Sequence, residues 1–286
     1  MDSLGNVIIT GASTGIGKAS ALHLDRLGFR VFASVRKESD AEALCAQASE
    51  RLTPIFLDVT NPDSIFKAKQ EIYRSVGEAG ILGIVNNAGV AFLSPLEFVQ
   101  LDSLRWLFEV NVFGLLTITQ AFLPLVRQAR GRIVNISSEA VLAVAPFHGP
   151  YSASKLAVNG ISEALRRELK PLGVQVSVII AGSINTPIWE KGAEMSEQVT
   201  RRQPPEANEL YGKPYNKVRE FFMQMGRRGI APDAVARVIA HALVSKRAKH
   251  YYLVGRDAHI FNLMKIIVPE PLHDWISLRI MGIEEG

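Results

Sequence analysis

The residues best suited to chemistry lie between Ser138 and Lys155. Tyr151 and Lys155 are four residues apart, where a long helical pattern begins. On a helix this spacing puts both side chains on one face. A free phenol has a pKa of about 10 and is a poor base at neutral pH, but a nearby ammonium favours the phenolate and lowers that pKa. The pair is therefore suited to proton transfer with an alcohol or carbonyl oxygen, although an ordinary surface helix can carry the same spacing.

Two chain elements must position these side chains. Ser138 follows the apolar run of residues 131–137, which indicates a buried strand. At the end of that strand its hydroxyl could donate a hydrogen bond to the same substrate oxygen. After Lys155, apolar residues recur at helical spacing as far as Leu169, which predicts a long amphipathic helix that begins near Tyr151.

A glycine-rich segment near the start of the chain predicts an anion site. Residues 6–10 form a short β-rich run, and Gly11, Gly15 and Gly17 follow it, with a helical pattern over residues 16–27. The glycines let the backbone approach a pyrophosphate, at which the first amides of the helix point. The spacing G-x-x-x-G-x-G differs from the more familiar G-x-G-x-x-G, and three glycines also suit a simple turn.

A basic pair, Arg36-Lys37, ends the second strand, predicted over residues 30–35. A site for NAD places an acidic residue about 20 residues past the glycines, where it holds the ribose 2′-hydroxyl. Arg36 instead suits a 2′-phosphate, and the hydroxyl of Ser13 could add a hydrogen bond. The position and the sign of the charge favour NADP over NAD, although an exposed basic pair can also simply solvate a strand end.

Three further polar positions follow predicted elements of the sheet. Asp58 comes after a strand at residues 54–57 and could accept from an adenine amine or cap the next helix. The fourth strand leads into Asn86-Asn-Ala-Gly89, whose small residues let the backbone lie near a ligand. Asn111 lies inside a helix predicted over residues 103–127, where it either bonds its own backbone and bends the helix or has a chemical role.

The last third of the chain combines regular elements with an irregular insert. After a sixth strand at residues 174–180, the polar and poorly periodic residues 188–229 predict a long loop, typical of a lid or binding loop. A helix at residues 232–245 and a strand at residues 251–254 follow. The tail, residues 257–286, has two amphipathic stretches that suit a pocket cover, a subunit interface or a membrane surface.

Composition restricts the class of protein. The 286 residues are 48% hydrophobic and 21% charged, an ordinary globular balance, and without repeats or a linker they are expected to form one domain, residues 1–286. The formal net charge of +4 is scattered among acids, so nucleic acid binding is not expected. A single cysteine, Cys45, and the lack of a signal-peptide pattern indicate a cytoplasmic protein. No apolar run reaches ~18 residues, so no transmembrane segment is expected.

Together these motifs resemble the short-chain dehydrogenase/reductase family over about residues 5–187. The family spacing of 13 residues between serine and tyrosine selects Ser138 over Ser137. One departure is Ala181-Gly182, where the family usually has Pro-Gly. The matching motifs are Thr10-Gly-x-x-x-Gly-x-Gly17, Asn86-Asn-Ala-Gly89, Asn111, Ser138, Tyr151-x-x-x-Lys155 and the turn over residues 182–186. Three shorter segments are similar to the branch that holds retinol and 17β-hydroxysteroid dehydrogenases, namely Val31-Phe-Ala-Ser-Val-Arg36, Thr186-Pro-Ile-Trp189 and Tyr252-Leu-Val-Gly-Arg256.

The resemblance implies a doubly wound, Rossmann-type three-layer α/β/α sandwich with a mostly parallel seven-stranded sheet. Tyr151 would be the general acid in reduction and the general base in oxidation, and Lys155 would lower its pKa and hold the nicotinamide ribose. Ser138 would orient the substrate oxygen, and Asn111 would hold a water that links Lys155 to solvent. With the Arg36 expected above, the cofactor contacts would be Gly11, Ser13, Ile16, Gly17, Arg36, Asp58, Val59, Asn87, Gly89, Tyr151, Lys155, Ile184 and Thr186.

We therefore expect an oxidoreductase that transfers a hydride between NADP(H) and an alcohol/carbonyl pair. NAD(H) is the second choice of cofactor. Apolar residues near the nicotinamide end favour a lipophilic, steroid-like or retinoid-like substrate, whose contacts would be Ser138, Phe147, Tyr151 and Trp189. No metal ligand is expected, and the expected assembly is a homodimer or homotetramer. The alternatives are a catalytically degenerate NADP-binding sensor or scaffold of the same fold and, less favoured by the motifs, an isomerase or epimerase that uses the dinucleotide.

Overall fold

A single parallel sheet is the centre of the computed structural model, which describes residues 3–283. Among these residues every strand pairing is parallel, in the order β3-β2-β1-β4-β5-β6-β7. The predicted doubly wound α/β sandwich with seven strands is confirmed. The strands are β1 (Asn6–Ile9), β2 (Arg30–Val35), β3 (Leu52–Phe56), β4 (Gly83–Asn86), β5 (Arg132–Ser138), β6 (Gln175–Ala181) and β7 (Tyr251–Val254).

Helices cover both faces of the sheet. Alternate residues of β1 point to opposite faces, so Val7 and Ile9 belong to one apolar core and Ile8 to the other. The helices are α1 (Gly15–Arg26), α2 (Glu38–Cys45), α3 (Pro62–Val76), α4 (Leu101–Phe108), α5 (Gly114–Gln128), α6 (Gly149–Leu169), α7 (Ile188–Thr200), α8 (Pro205–Arg227), α9 (Pro232–Val244), α10 (Arg256–Ile267) and α11 (Glu270–Ile280). The first core packs against α1, α2 and α9, and the second against α3, α5 and α6.

The strand order places a crevice between β1 and β4. From β1 the chain adds strands outward to β3, then returns to β4 on the other side of β1 and continues to β7. In open sheets of this kind, ligands bind at the carboxyl ends of the strands beside such a reversal. The predicted site residues that follow these strands therefore meet at one edge of the sheet.

One turn of π-helix, Glu109–Phe113, joins α4 to α5 and contains Asn111. The combined helix, Leu101–Gln128, is long and apolar enough to span a membrane by length and composition, which corrects the expectation that no segment of the chain reaches that length. Half of its most apolar window is buried, and Ile118 and Phe122 are fully enclosed in the core. Packing against the sheet accounts for its apolar composition.

The prediction of a long loop over residues 188–229 is wrong, because two helices, α7 and α8, occupy most of it. Prolines within this segment can interrupt a helix, yet Pro205 lies at the first position of α8, where proline is well tolerated. Pro214 lies inside α8, which still buries Val218 and Phe222 one turn apart. The insert is thus an ordered helical hairpin beside the site.

Candidate active site

A cavity of about 620 Å³ opens at the carboxyl ends of the strands. Its wall begins at the glycine-rich segment and Arg36, passes Ser138 and Tyr151, and ends among α7, α8, α10 and α11. The volume lies within the range of small-molecule and cofactor sites, about 300–1,000 Å³. Sequence-predicted residues separated by more than 150 positions therefore share one cavity.

Tyr151 is a buried phenol on the cavity wall, in the first turn of α6. Burial raises the pKa of Tyr151 to about 12, and the charge of Glu139 acts in the same direction. A hydrogen bond with the hydroxyl of Ser138 acts in the opposite direction and lowers that pKa. The phenol is therefore protonated at neutral pH and is suited to donate a proton to an oxygen bound beside Ser138.

Lys155 lies one helical turn beyond Tyr151 and is also buried. Its Nζ donates a hydrogen bond of 2.9 Å to the carbonyl oxygen of Ile136 and lies 5.8 Å from the centre of the Tyr151 ring. Burial lowers the pKa of Lys155 to about 8. In this structure burial is the largest influence on the pKa of Tyr151, and the ammonium of Lys155 is hydrogen-bonded to a backbone carbonyl.

Asn111 lies behind the cavity wall, with only 1% of its surface exposed. Its Oδ1 accepts from the backbone N–H of Val90 at 2.8 Å, and its Nδ2 donates to the Val90 carbonyl and to Ser154 Oγ. Ser154 Oγ in turn donates to the carbonyl oxygen of Tyr151. Asn111 thus joins α6 to the segment after β4. Its side chain bonds the backbone of that segment and not the backbone of its own helix.

The glycine-rich segment forms the tight turn between β1 and α1. Gly11, Ser13 and Ile16 line the cavity, and the backbone N–H of Gly11 donates to Ser34 Oγ at 3.0 Å. Gly17 does not line the cavity, because it is buried directly against the carbonyl of Gly11, where a Cβ would overlap that oxygen. Its contribution is to let α1 approach the turn closely.

Asn87 and Thr10 lock this turn to the end of β4. The hydroxyl of Thr10 accepts from the backbone N–H groups of Asn87 and Ala88, and Asn87 Nδ2 donates to the carbonyl oxygens of Thr10 and Gly11. The amide of Asn87 is therefore engaged in holding the turn, while Asn87 and Gly89 both line the cavity.

Arg36 and Asp58 face each other at the end of the cavity expected to hold the adenosine. Arg36 Nη1 lies 3.7 Å from Asp58 Oδ2, and 74% of the arginine side chain is exposed. Partial burial opposes ionisation of Asp58, but hydrogen bonds from Thr60 and the charge of Arg36 lower its pKa overall. Asn61, not Asp58, caps α3 through its bond to the backbone N–H of Ser64. Val59 lines the cavity beside them.

The opposite end of the cavity is formed by the turn after β6. Ile184 and Thr186 line it, and Ile184 pairs with Ile230 in an isolated bridge. Trp189 Nε1 donates to the carbonyl oxygen of Ile184 at 2.7 Å, which fixes the indole against the turn. Trp189 therefore lines the cavity next to the residues expected to hold the nicotinamide.

Comparisons with known proteins agree with this geometry. Residues 5–197 match the family model described as short chain dehydrogenase. The chain belongs to the short-chain dehydrogenase family. The matched segment contains Ser138, Tyr151 and Lys155, and the prediction of a dehydrogenase/reductase enzyme is confirmed.

Relatives of this dehydrogenase support the branch inferred from the short motifs. It is 39% identical over 280 residues to 17-beta-hydroxysteroid dehydrogenase type 6 of Rattus norvegicus, covering 94% of this chain and 86% of that protein. It is 36% identical over 282 residues to retinol dehydrogenase 16 of Homo sapiens, covering 95% and 88%. A short-chain dehydrogenase structure from Streptomyces avermitilis superposes with a TM-score of 0.78 at 28% identity, covering 98% of each chain.

The wall opposite Tyr151 is mostly apolar. Phe147, expected to contact substrate, does not line the cavity, because its ring packs edge-on against Tyr211 and Tyr215 of α8, with centroids 6.0 and 5.6 Å away. Much of the apolar lining comes from α7, α8 and the tail helices, so the tail does cover part of the pocket, and residues such as Phe92, Trp106 and Val144 add to it from other segments. The large members from α7, α8 and the tail are Ile188, Trp189, Met195, Phe221, Phe222, Met223, Met225, Phe261, Met264, Ile276, Ile280 and Met281.

Sequence reasoning missed two residues of the site. His148 stacks on the Tyr151 ring with centroids 4.8 Å apart and contacts Phe222, and burial lowers its pKa to about 4. Glu139 follows Ser138 and lines the cavity with 7% of its surface exposed. Their closeness in sequence to Tyr151 and Ser138 was the available signal. Within residues 3–283, no group of three or more His, Cys, Asp or Glu side chains could hold a metal ion.

Proposed function

We propose that this dehydrogenase transfers a hydride between NADP(H) and a lipophilic alcohol/carbonyl pair, with Tyr151 as the general acid or base. The observation that carries the proposal is that Ser138, Tyr151 and Lys155 line one cavity that also reaches Arg36. A proton donor and a second hydroxyl on the same wall form a site for a carbonyl oxygen.

The residues of the cavity fit a dinucleotide phosphate. Gly11, Ser13 and Ile16 provide the turn and the start of α1 for the pyrophosphate, and the exposed guanidinium of Arg36 suits a 2′-phosphate. Ile184 and Thr186 would hold the nicotinamide end. The bound cofactor supplies the hydride in reduction and takes it up in oxidation. NAD(H) remains the second choice, because the contacts expected for the 2′-phosphate, Arg36 and Ser13, would have no phosphate to bind on NAD(H).

The chain's own residues account for the proton. In reduction the Tyr151 hydroxyl donates its proton to the substrate oxygen, which the Ser138 hydroxyl orients. Lys155 is mainly protonated at neutral pH, since burial lowers its pKa only to about 8, and it would hold the nicotinamide ribose. Asn111 would act on α6 through Ser154 and hold the water that returns a proton to Lys155.

The apolar wall supports a steroid-like or retinoid-like substrate. Aromatic and aliphatic side chains dominate the part of the wall formed by α7, α8, α10 and α11, where Lys191 and Arg219 are the basic residues of the lining. Two relatives are named as a 17-beta-hydroxysteroid dehydrogenase and a retinol dehydrogenase, which supports the same class. Binding would come mainly from burial of apolar surface.

A homodimer or homotetramer in the cytoplasm is also proposed. Large apolar side chains are exposed on the combined helix of α4 and α5 and on α6, including Leu101, Phe113 and Leu156, which supports an assembly through these helices. The tail exposes Ile266 and Trp275, which would suit peripheral contact with a membrane. Light scattering of the purified chain measures the assembly, and a monomer would contradict it.

The test of function is the loss of NADPH absorbance with a panel of steroid, retinoid and short aliphatic carbonyls. We expect turnover with the bulky lipophilic members. NADPH binding without turnover of any carbonyl, or of the matching alcohols with NADP⁺, would instead favour the sensor or scaffold alternative.

A further inference from the structure

Two carboxyl groups meet beneath the turn that follows β6. Glu139 comes from the end of β5, and Asp257 is the second residue of α10. Asp257 Oδ2 accepts from the backbone N–H of Ser183 at 2.5 Å, and its Oδ1 accepts from the backbone N–H of Ala258 at 2.9 Å. Ser183 Oγ donates to Glu139 Oε1 at 3.4 Å. The ends of β5, β6 and β7 are thereby joined at one turn.

Glu139 is the protonated member of this pair of carboxyl groups. Burial and the nearby charge of Asp257 raise the pKa of Glu139 to about 9, so its carboxyl group is neutral at neutral pH. Its buried Oε2 has no hydrogen-bond partner among the described residues. The oxygens of Asp257 accept from two backbone N–H groups, so the hydrogen bond that joins Glu139 to the turn is the one from Ser183 Oγ.

The shape of the turn depends on this pair. A Cβ at Gly182 would overlap the carboxylate of Asp257, so glycine is needed for the close approach. Ala181 precedes it and lacks the fixed φ of a proline, so the turn needs another restraint. The bond from Ser183 to Asp257 provides one immediately before Ile184, which lines the cavity.

We propose that Asp257 and Glu139, through their hydrogen bonds with Ser183, hold the Gly182–Ser183 turn in the conformation that binds the nicotinamide half of the cofactor. Both are positioning residues, since they act through the turn that carries Ile184 and Thr186. The inference rests on the proposed function, because it assumes that NADP(H) is the cofactor.

The experiment compares two ligands. NADPH would reach both the Arg36 end and the Ile184 end of the cavity, whereas 2′,5′-ADP has the adenosine and its 2′-phosphate but no nicotinamide. For Asp257→Asn we expect the Kd of NADPH to rise roughly tenfold, as for loss of a charge-assisted hydrogen bond, while the Kd of 2′,5′-ADP stays within about twofold. A merely structural role would change both ligands together.

Substitutions of Glu139 and one distant carboxylate supply the controls. Glu139→Gln keeps the side-chain oxygen that accepts from Ser183 Oγ and should retain NADPH affinity, whereas Glu139→Ala removes that acceptor and should lower the affinity as Asp257→Asn does. Asp25→Asn is the matched control, because Asp25 is a buried carboxylate that accepts from the backbone N–H of Ser49 and does not line the cavity. It should not change the ratio of the two dissociation constants.

The outcomes separate the two hypotheses. If the unmodified protein fails to bind NADPH or to turn over any carbonyl, the proposed function fails. If it does both, but Asp257→Asn and Glu139→Ala change the two ligands equally or not at all, the positioning inference is overturned. Should Asp257→Asn fail to fold, the comparison of Glu139→Gln with Glu139→Ala serves as the test. Equal NADPH affinity of these two variants would overturn the inference.

Discussion

The exchange of Arg36 for aspartate should reverse the preference between NADPH and NADH. Arg36 is mostly exposed, so its attraction to a phosphate lies at the weak end of the Coulomb range, about 1 kcal/mol per pair of unit charges at 4 Å. A phosphate with about −1.5 to −2 charges would then lose about 1.5–2 kcal/mol when the arginine is removed. A carboxylate in its place adds repulsion of similar size.

Arg36→Asp should therefore weaken NADPH by about 3–4 kcal/mol, or roughly 200-fold to 1,000-fold, and leave NADH equal or slightly tighter. Arg36→Ala removes attraction without adding repulsion and should show about half of the change in free energy. Fluorescence titration of both cofactors, at low salt and again at high salt, measures these values. Added salt should shrink the effect, because exposed charges are screened.

The neighbouring Lys37 provides the matched control. It is also basic and exposed but does not line the cavity. Lys37→Asp should change the ratio of NADPH to NADH affinity by a small fraction of the Arg36→Asp effect. An unchanged ratio for Arg36→Asp, or an equal change for Lys37→Asp, would refute a direct contact between Arg36 and the 2′-phosphate.

Three further outcomes are expected. Burial in the folded chain raises the pKa of Glu139 to about 9, whereas Glu139 is ionised in the unfolded chain between pH 6.5 and 8. The free energy of unfolding should therefore fall with rising pH over this range, by at most about 1.4 kcal/mol per pH unit. Urea unfolding of Glu139→Gln should show a weaker dependence on pH, and an identical dependence would contradict the assignment. Since burial lowers the pKa of His148 to about 4, His148→Phe should leave the shape of the pH–rate profile near pH 6.5 unchanged; loss of a step there would show that the imidazole titrates. Across carbonyls of growing apolar bulk, kcat/KM should rise, with the activation free energy falling by on the order of 0.8 kcal/mol per buried methylene. A preference for small polar or anionic carbonyls would contradict a lipophilic substrate.

Sequence alone predicted the sheet and most of the site because those parts depend on local signals. Apolar runs ending in glycine or polar residues marked the strands, and β2 and β7 begin and end at the predicted residues. The spacing of Tyr151 and Lys155 was sufficient to place both on one face of α6.

The parts that sequence missed depend on distant contacts. The helices α7 and α8 were obscured by a polar, poorly periodic sequence, and α8 also contains prolines, which act as breakers or as helix starts according to position. Phe147 packs outward because tyrosines of α8 lie beside it, more than 60 positions away. The pKa of Tyr151 follows from burial, and the Glu139–Asp257 contact joins residues 118 positions apart, which no local pattern encodes.

The most direct test is the turnover of Tyr151→Phe with NADPH and a lipophilic carbonyl. We predict that kcat falls by roughly 100-fold or more, the scale of a lost acid or base group, while the Kd of NADPH changes little. Tyr215→Phe, which removes a hydroxyl from a tyrosine of α8 that does not line the cavity, should keep normal turnover. Near-normal turnover of Tyr151→Phe would contradict the assignment of Tyr151 as the proton donor.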